Sequence, residues 1–483
     1  MSTFNPGTYQ SGDGNLSEPI LVGRLGQPLK LGGGSEFSNY GSGPISDRPI
    51  ASVFGKGSWN DGLLEYKSDG VRWRQTNPVL RENTIAIIGD SFDVRSEVIV
   101  GADYKTNLYG LWHQINFRLM GKLDFVYIDG ISGSGALAGS VYSDRIDAAI
   151  AAGAKYVALR ASVNDFTVLQ DYATLLAAYN ELFTKINNAG MTIISNTVGG
   201  NNAYDSAEKR NNWMRFNKYM LAEAPKEFDI IVLQQHWQTL DHAALTGALD
   251  SAMSIDGSHP APKGAFTIAK TSSDQLDPIF ANVESPLSAI AAVGLTENAI
   301  DTNPINVGIG GTLAANVTGE VSDLYGVRAA SGAGTVVASK VARTDGPGAW
   351  QQCVWTPSAA NQQLDYYLLG VGTSLTTAGA SIGDIIQGFA EVEMDVATAE
   401  ADVHYSGLKI TFRNGGGSTI GFYFDSTQPA LAIAGPWRGV VSTPKMPIPV
   451  GTTEIQITMM WMNKTTGVQT IRFGQHGVVN HSR

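Results

Sequence analysis

Apolar residues follow three different patterns along this chain. Between about residues 81 and 282, short continuous apolar runs alternate with longer stretches in which apolar residues recur every three or four positions. The runs are Ile85–Ile88, Phe125–Ile128, Tyr156–Arg160, Thr192–Asn196 and Ile230–Leu233, each rich in β-branched or aromatic residues and closed by glycine or a polar turn. Runs of that length suit strands buried on both faces. The longer stretches are Ser143–Ala152, Tyr172–Asn188, Ser206–Glu223 and Pro262–Ala281; in the second, Leu175, Leu176, Tyr179, Leu182, Phe183 and Ile186 share one helical face. Strand and helix in alternation predict an α/β domain with a doubly wound parallel sheet covered by helices on both faces.

The flanks carry no helical period. Residues 1–80 are crowded with Gly, Ser, Pro and Asn around short strand-like pieces at Pro19–Val22, Ile50–Phe54 and Leu63–Tyr66. They predict a small β-rich N-terminal module, or an arm ordered by neighbouring chains. From 283 to 483 charge thins and period-two runs dominate: Thr335–Lys340, Trp350–Trp355, Ala390–Asp395, Leu408–Phe412, Thr453–Met460 and Thr470–Phe473. That half predicts a β-sandwich of jelly-roll type. The expected organisation is therefore 1–80, 81–282 and 283–483.

Composition narrows the function classes. The 483 residues are 43% hydrophobic, enough for several cores, but only 16% charged, with a formal net charge of −11. With no basic run to neutralise phosphates, nucleic acid is not an expected partner. One cysteine, Cys353, excludes an intrachain disulfide and a cysteine-based metal site, and is expected as a small buried residue. Met1 to Asn15 lack the basic-then-apolar pattern of a secretory signal, and no apolar stretch is long enough to span a bilayer. The expectation is a soluble protein without membrane insertion.

Candidate chemistry lies in four segments whose order matters more than any one of them. Gly89-Asp90-Ser91 ends an apolar run, which places the Ser91 hydroxyl at the carboxyl edge of a sheet, where open α/β folds build their sites. Gly133 sits in a glycine-rich turn, and Asn164-Asp165 follow another run. Asp256 and His259 stand three residues apart, so one loop can present an imidazole to Ser91 while a carboxylate orients it. A nucleophile, an oxyanion hole and an oriented base suit acyl transfer.

These segments resemble the SGNH (GDSL) hydrolase family. Ile85-Ala-Ile-Ile-Gly-Asp-Ser91 is similar to its first block, Asp129-Gly-Ile-Ser-Gly133 to its second, Ser162-Val-Asn-Asp165 to its third and Asp256-Gly-Ser-His-Pro260 to the block usually numbered fifth. The resemblance covers about residues 80–282. It implies Ser91, Asp256 and His259 as the catalytic triad, and an oxyanion hole from the Ser91 and Gly133 backbone N–H groups and the Asn164 side-chain amide, with no cofactor and no metal. Asp165 is expected to hold its loop rather than react. One departure stands out: the third block usually opens with glycine, and here that place holds Ser162.

Two further resemblances concern context. Arg48-Pro-Ile-Ala-Ser-Val-Phe-Gly-Lys-Gly57, Glu65-Tyr-Lys-Ser-Asp-Gly70 and Trp73 resemble segments of phage tail-fibre and tailspike proteins. Asn303-Pro304, Gly310-Gly-Thr312 and Ser339–Arg343 resemble lectin-like domains appended to phage and carbohydrate-active enzymes. Together they imply a virion tail component that acts outside the cell on a bacterial capsular or O-antigen polysaccharide, as a homo-oligomer, by resemblance a trimer, attached to other tail proteins through its N-terminal region. The expected activity is a carbohydrate O-acetylesterase. A lipase or thioesterase of the same family, a receptor-binding tail protein without catalysis and a structural tail component are the alternatives. Most aromatics of the C-terminal half (Trp350, Trp355, Tyr366, Tyr367, Tyr405, Phe422, Tyr423, Trp437, Trp461) are expected in its core. Trp437 with Arg438, expected in a loop at Gly435-Pro-Trp-Arg-Gly439, is the candidate for sugar stacking.

Overall fold

In a computed structural model, the described residues are 83–482 apart from 95–98, 101–103, 108–109, 243–246, 288–298, 301–302, 330–333, 395–402, 415–416, 421–423, 426–436 and a few isolated positions; before residue 83 only short strands are described. Those N-terminal strands include Lys56–Asn60, Glu65–Asp69 and Trp73–Thr76, paired antiparallel in succession. Ile50–Phe54 lies outside the described residues.

The apolar runs form one five-stranded parallel sheet. Its strands are β1 (Thr84–Gly89), β2 (Asp124–Gly130), β3 (Tyr156–Leu159), β4 (Thr192–Asn196) and β5 (Ile230–Leu233), in the order β2-β1-β3-β4-β5. Alternate side chains serve opposite faces. Ala86 and Ile88 join a cluster with α3 (Ser143–Ala151), α5 (Tyr172–Asn188) and α6 (Ala207–Ala222), whereas Ile85 and Ile87 pack with α2 (Leu111–Arg118) and α7 (Pro262–Leu276). All four isoleucine or alanine side chains are fully buried, each isoleucine contributing on the order of 1.5–3 kcal/mol of hydrophobic stabilisation. Short helices of the same unit include α1 (Ser91–Val94) and α4 (Asn164–Thr167). In this strand order the winding reverses between β1 and β3, and the crevice that a reversal opens at the carboxyl ends is where ligands bind in such sheets.

The sequence expectation differs from the structure at two helices. Helix α2 was not expected, because its apolar positions Leu111, Trp112 and Ile115 are interleaved with Gln114 and Asn116, which are themselves buried. Asn116 earns its burial by hydrogen-bonding both the N–H and the carbonyl of Leu123, which closes the turn into β2. Helix α7 stops at Leu276, not Ala281. Pro278 has no N–H to continue it, although Asp277 before it still has helical geometry (φ −54°, ψ −42°).

The C-terminal half folds as two seven-stranded sheets. The first runs Gly310–Leu313, Val321–Ala329, Gln363–Leu368, Glu454–Asn463, Val403–Asn414, Gly417–Ile420, with Thr373–Ser374 beside Glu454–Asn463. The second runs Val317–Gly319, Thr335–Ala342, Ala349–Thr356, Gln469–Asn480, Ile385–Met394, Trp437–Ser442, with Met446–Pro447 beside Ile385–Met394. Both line one cluster that holds Val327, Tyr366, Ile457 and Trp461 from the first and Cys353, Trp355, Val392 and Ile471 from the second. Burial pushes the Cys353 thiol up to about 12, so it behaves as a small apolar residue. Trp350, Trp355, Tyr366 and Trp461 are core residues; the side chains of Tyr405, Phe422, Tyr423 and Trp437 lie outside the described residues.

Trp437 and Arg438 do not form a loop. They open the strand Trp437–Ser442, whose Gly439 has room for no Cβ because one would sit 2.4 Å from the Phe117 carbonyl oxygen of α2. Arg438 is ion-paired with the fully buried Glu391 and with Asp345, and its guanidinium lies 5.0 Å from the Trp350 ring centre. Its charge is thereby committed inside the fold. The same strand docks the C-terminal half on the α/β unit, with Phe117 inserted in the C-terminal cluster and Lys445 paired with Asp124 at the start of β2.

Candidate active site

The turn that carries Ser91 is shaped by two glycines and a cap. Strand β1 ends at Gly89, and Asp90 caps α1 by accepting from the Phe92 N–H through Oδ1 (2.9 Å) and from the Asp93 and Val94 N–H groups through its carbonyl (3.0 and 3.1 Å). A Cβ on Gly89 would lie 1.8 Å from the Asp93 carboxylate, and one on Gly130 would lie 2.0 Å from the Val94 nitrogen. Only glycines let α1 cross the ends of β1 and β2. Asp93 cannot swing away, because it is buried and paired with Arg160. Burial pushes the Asp90 carboxyl up, and the nearby Arg160 guanidinium opposes that rise.

From this turn the Ser91 hydroxyl meets His259. Ser91 Oγ is 2.8 Å from His259 Nε2, and His259 Nδ1 is 2.7 Å from Asp256 Oδ2. A carboxylate only accepts, so Nδ1 carries the proton and Nε2 is left with the lone pair that faces the serine O–H. Asp256 Oδ1 accepts from the backbone N–H groups of Ser258 (2.9 Å) and His259 (2.8 Å). Partial burial raises this carboxyl, but the His259 and Ser258 hydrogen bonds outweigh it and hold Asp256 down to about 2. The loop that carries Asp256 and His259 is braced by further bonds: Ser254 Oγ donates to the His259 carbonyl and accepts from the Gly257 N–H, and Ser258 Oγ donates to Asn201 Oδ1. Gly257, at φ 80°, uses a conformation that favours glycine. Phe92 packs its ring 5.4 Å from that of His259.

Gly133 and Asn164 flank the same spot. Gly133 adopts φ 79° with open space where a Cβ would be, so its backbone, not crowding, requires glycine. Neither the Ser91 nor the Gly133 N–H has an acceptor among the described residues. Asn164 Nδ2 donates to the Ser134 carbonyl (3.0 Å) and to Ser162 Oγ (3.1 Å). Asp165 holds the loops together: buried, it accepts from the Ala136 and Leu137 N–H groups (2.8 and 3.0 Å) and from the Tyr179 hydroxyl (2.7 Å). Burial and then the Asp165 charge push the Tyr179 phenol well above its ordinary value, so it remains a donor.

Two arginines that the motifs do not contain complete the frame. Arg145, nearly buried, donates from Nε to Asp129 Oδ2 (2.9 Å), from Nη2 to the Gly89 carbonyl (3.0 Å) and from Nη1 to Ser134 Oγ (3.2 Å). One side chain thus ties the nucleophile turn to the Gly133 loop. A cation in the first turn of a helix opposes the helix dipole, and that anomaly was its only sequence signal. Arg160, at the end of an apolar strand, secures Asp93 and lies 5.0 Å from the Phe92 ring centre.

Above Ser91 opens a cavity of about 600 Å³, lined by Val94, Ser132, Gly133, Val163, Asn164, Thr167, Asn201, Ala203, Ser258 and His259. These walls mix short polar and short apolar side chains, with His259 the one titratable side chain among them. A second cavity of about 420 Å³ lies between β2 and residues Ser442–Lys445, away from Ser91.

No family model matches the chain, and no curated protein matches it. Solved structures similar to it include a GDSL-like lipase from Bacteroides thetaiotaomicron (12% identity, 42% of this chain and 90% of that one, TM-score 0.32). A member of the lipolytic G-D-S-L family from Veillonella parvula matches at 15% identity over 41% of this chain and 98% of that one, TM-score 0.31. An acetylxylan esterase from Geobacillus stearothermophilus matches at 15% identity over 40% and 93%, TM-score 0.32. At such identity and superposition none of these likenesses decides what this chain does.

Proposed function

We propose that this chain is an SGNH-type serine esterase that removes O-acyl groups, chiefly O-acetyl, from a bacterial surface polysaccharide as part of a viral tail spike. The observation that carries the esterase reading is the unbroken hydrogen-bonded line Ser91 Oγ to His259 Nε2 to Asp256 at the sheet's switch point. In this reading His259 Nε2 takes the Ser91 proton as Oγ bonds to the ester carbonyl carbon, and the carbonyl π pair moves to oxygen. The Ser91 and Gly133 N–H groups and the Asn164 amide stabilise that charge. Collapse breaks the bond to the sugar oxygen, which leaves with the proton from His259. Water, deprotonated by the same imidazole, then releases the acyl group from Ser91.

The walls of the cavity support a small acyl group on a polar carrier. Ser132, Thr167, Asn201 and Ser258 offer partners for hydroxyls, and the described lining has no long aliphatic groove of the kind a fatty chain would fill. The polysaccharide and the tail context rest on the sequence resemblances of the N- and C-terminal regions. The test is incubation with O-acetylated capsule or O-antigen, followed by proton NMR. Release of free acetate that depends on Ser91 supports the reading. Turnover of long-chain esters in preference to acetate would favour a lipase, and binding of polysaccharide with no hydrolysis of any ester would leave a receptor-binding protein.

A further inference from the structure

The departure at the head of the third motif has a structural consequence. Ser162 is fully buried and its Oγ stands where a glycine would offer no atom. Within reach of that oxygen are Asp90 Oδ2 (2.7 Å), the Ser134 carbonyl (2.8 Å), the Asn164 N–H (3.1 Å) and Asn164 Nδ2 (3.1 Å). A hydroxyl has one proton and two lone pairs, so it can give its proton to one acceptor and accept both Asn164 donors. Asp90 is the closer and, when ionised, the stronger acceptor. Its other oxygen accepts from the Phe92 N–H. One buried carboxylate therefore touches the nucleophile turn with Oδ1 and, through Ser162, the loop of the oxyanion amide with Oδ2.

The orientation of that amide is fixed by what surrounds it. The Ser134 carbonyl can only accept, so the Asn164 NH₂ faces it, and the second proton of Nδ2 meets Ser162 Oγ. This second proton is the one that a developing oxyanion can share. A neutral ester carbonyl competes poorly for it with a hydroxyl oxygen, whereas an oxyanion forms a charge-assisted bond roughly twice as strong. Interaction gained mainly when charge develops accelerates the chemical step rather than binding.

We infer that Ser162 is a positioning residue for ester hydrolysis: through its bonds to Asp90 and Asn164 it sets the Asn164 amide in register with the Ser91 turn. The inference rests on the esterase reading above. Its test is a double-mutant cycle on p-nitrophenyl acetate with Ser162→Ala, Asn164→Ala and the pair, alongside Ser91→Ala. Ser162→Ala lowers kcat by about tenfold with KM within about twofold, the pattern of an effect confined to the transition state. In the Asn164→Ala background the same substitution has almost no further effect on kcat, because the group it positions is gone. A purely structural Ser162 would instead give losses that multiply, or a change in KM. Either result, or wild-type kcat in Ser162→Ala, overturns the inference. Ser162→Gly, which adds no atom, repeats the cycle if Ser162→Ala does not fold. Undiminished turnover in Ser91→Ala would defeat the esterase reading itself, a separate outcome from failure of the cycle.

Discussion

Asp256 spends both carboxylate oxygens on the short loop that follows it, one on two backbone N–H groups and one on the His259 ring. Held at about 2, it is ionised at any pH at which the protein would be assayed, so it adds no second ionisation. The acidic side of the activity profile should therefore carry one step at most, with none from Asp256. A pH profile of kcat/KM on a soluble ester checks this; a bell with an acidic limb rising through two ionisations would contradict it. Asn164→Ala should lower kcat by about a hundredfold to a thousandfold with KM nearly unchanged, the usual loss of one oxyanion donor. Ser91, Asp256 and His259 were legible in the sequence because short motifs hold them, and a three-residue spacing already predicts the Asp256–His259 contact. The work of Ser162, Arg145 and Arg160 was not, since each acts through partners on other strands and loops that only the fold brings close.

Between the motifs, single residues bind elements together. Asp165 joins α4, the loop at Ala136–Leu137 and Tyr179 of α5. Asp165→Ala would strand two buried donors and the half-buried Leu137 N–H, and should cost on the order of 3–5 kcal/mol of stability, measured by denaturant unfolding. A loss below about 1 kcal/mol would mean that water reaches those donors. Four strands of the parallel sheet were readable because residues buried on both faces leave continuous apolar runs, and the half-buried edge strand β2 through its run of aromatic and β-branched residues. Helix α2 was hidden by its buried amides, and the end of α7 was misplaced because Ile279 and Phe280 continue the apolar pattern past Pro278, although the chain there is no longer helical. The strand at Trp437 was read as a loop from its flanking glycines, yet Gly439 is there for the close approach of Phe117.

In the whole molecule, the two halves meet at more than one place. The contacts at Phe117, Gly121 and Asp124 lie at the end of α2 and the start of β2, the amino edge of the sheet, whereas Ser91 sits at the carboxyl edge; a separate contact pairs Phe424–Asp425 with Tyr104–Asn107, in the segment between α1 and α2. A chain ending near residue 282 should keep turnover on a small soluble ester, with lower stability from the exposed Phe117, and lose activity on polymer if the C-terminal half tethers it. Equal activity of both chains on polysaccharide would make that half a structural element. The esterase reading itself stands on one covalent event. Treatment with a fluorophosphonate, then peptide mass spectrometry, should find a single adduct on Ser91, absent in Ser91→Ala and formed much more slowly in His259→Ala. An unlabelled Ser91 in protein that still hydrolyses p-nitrophenyl acetate would contradict it.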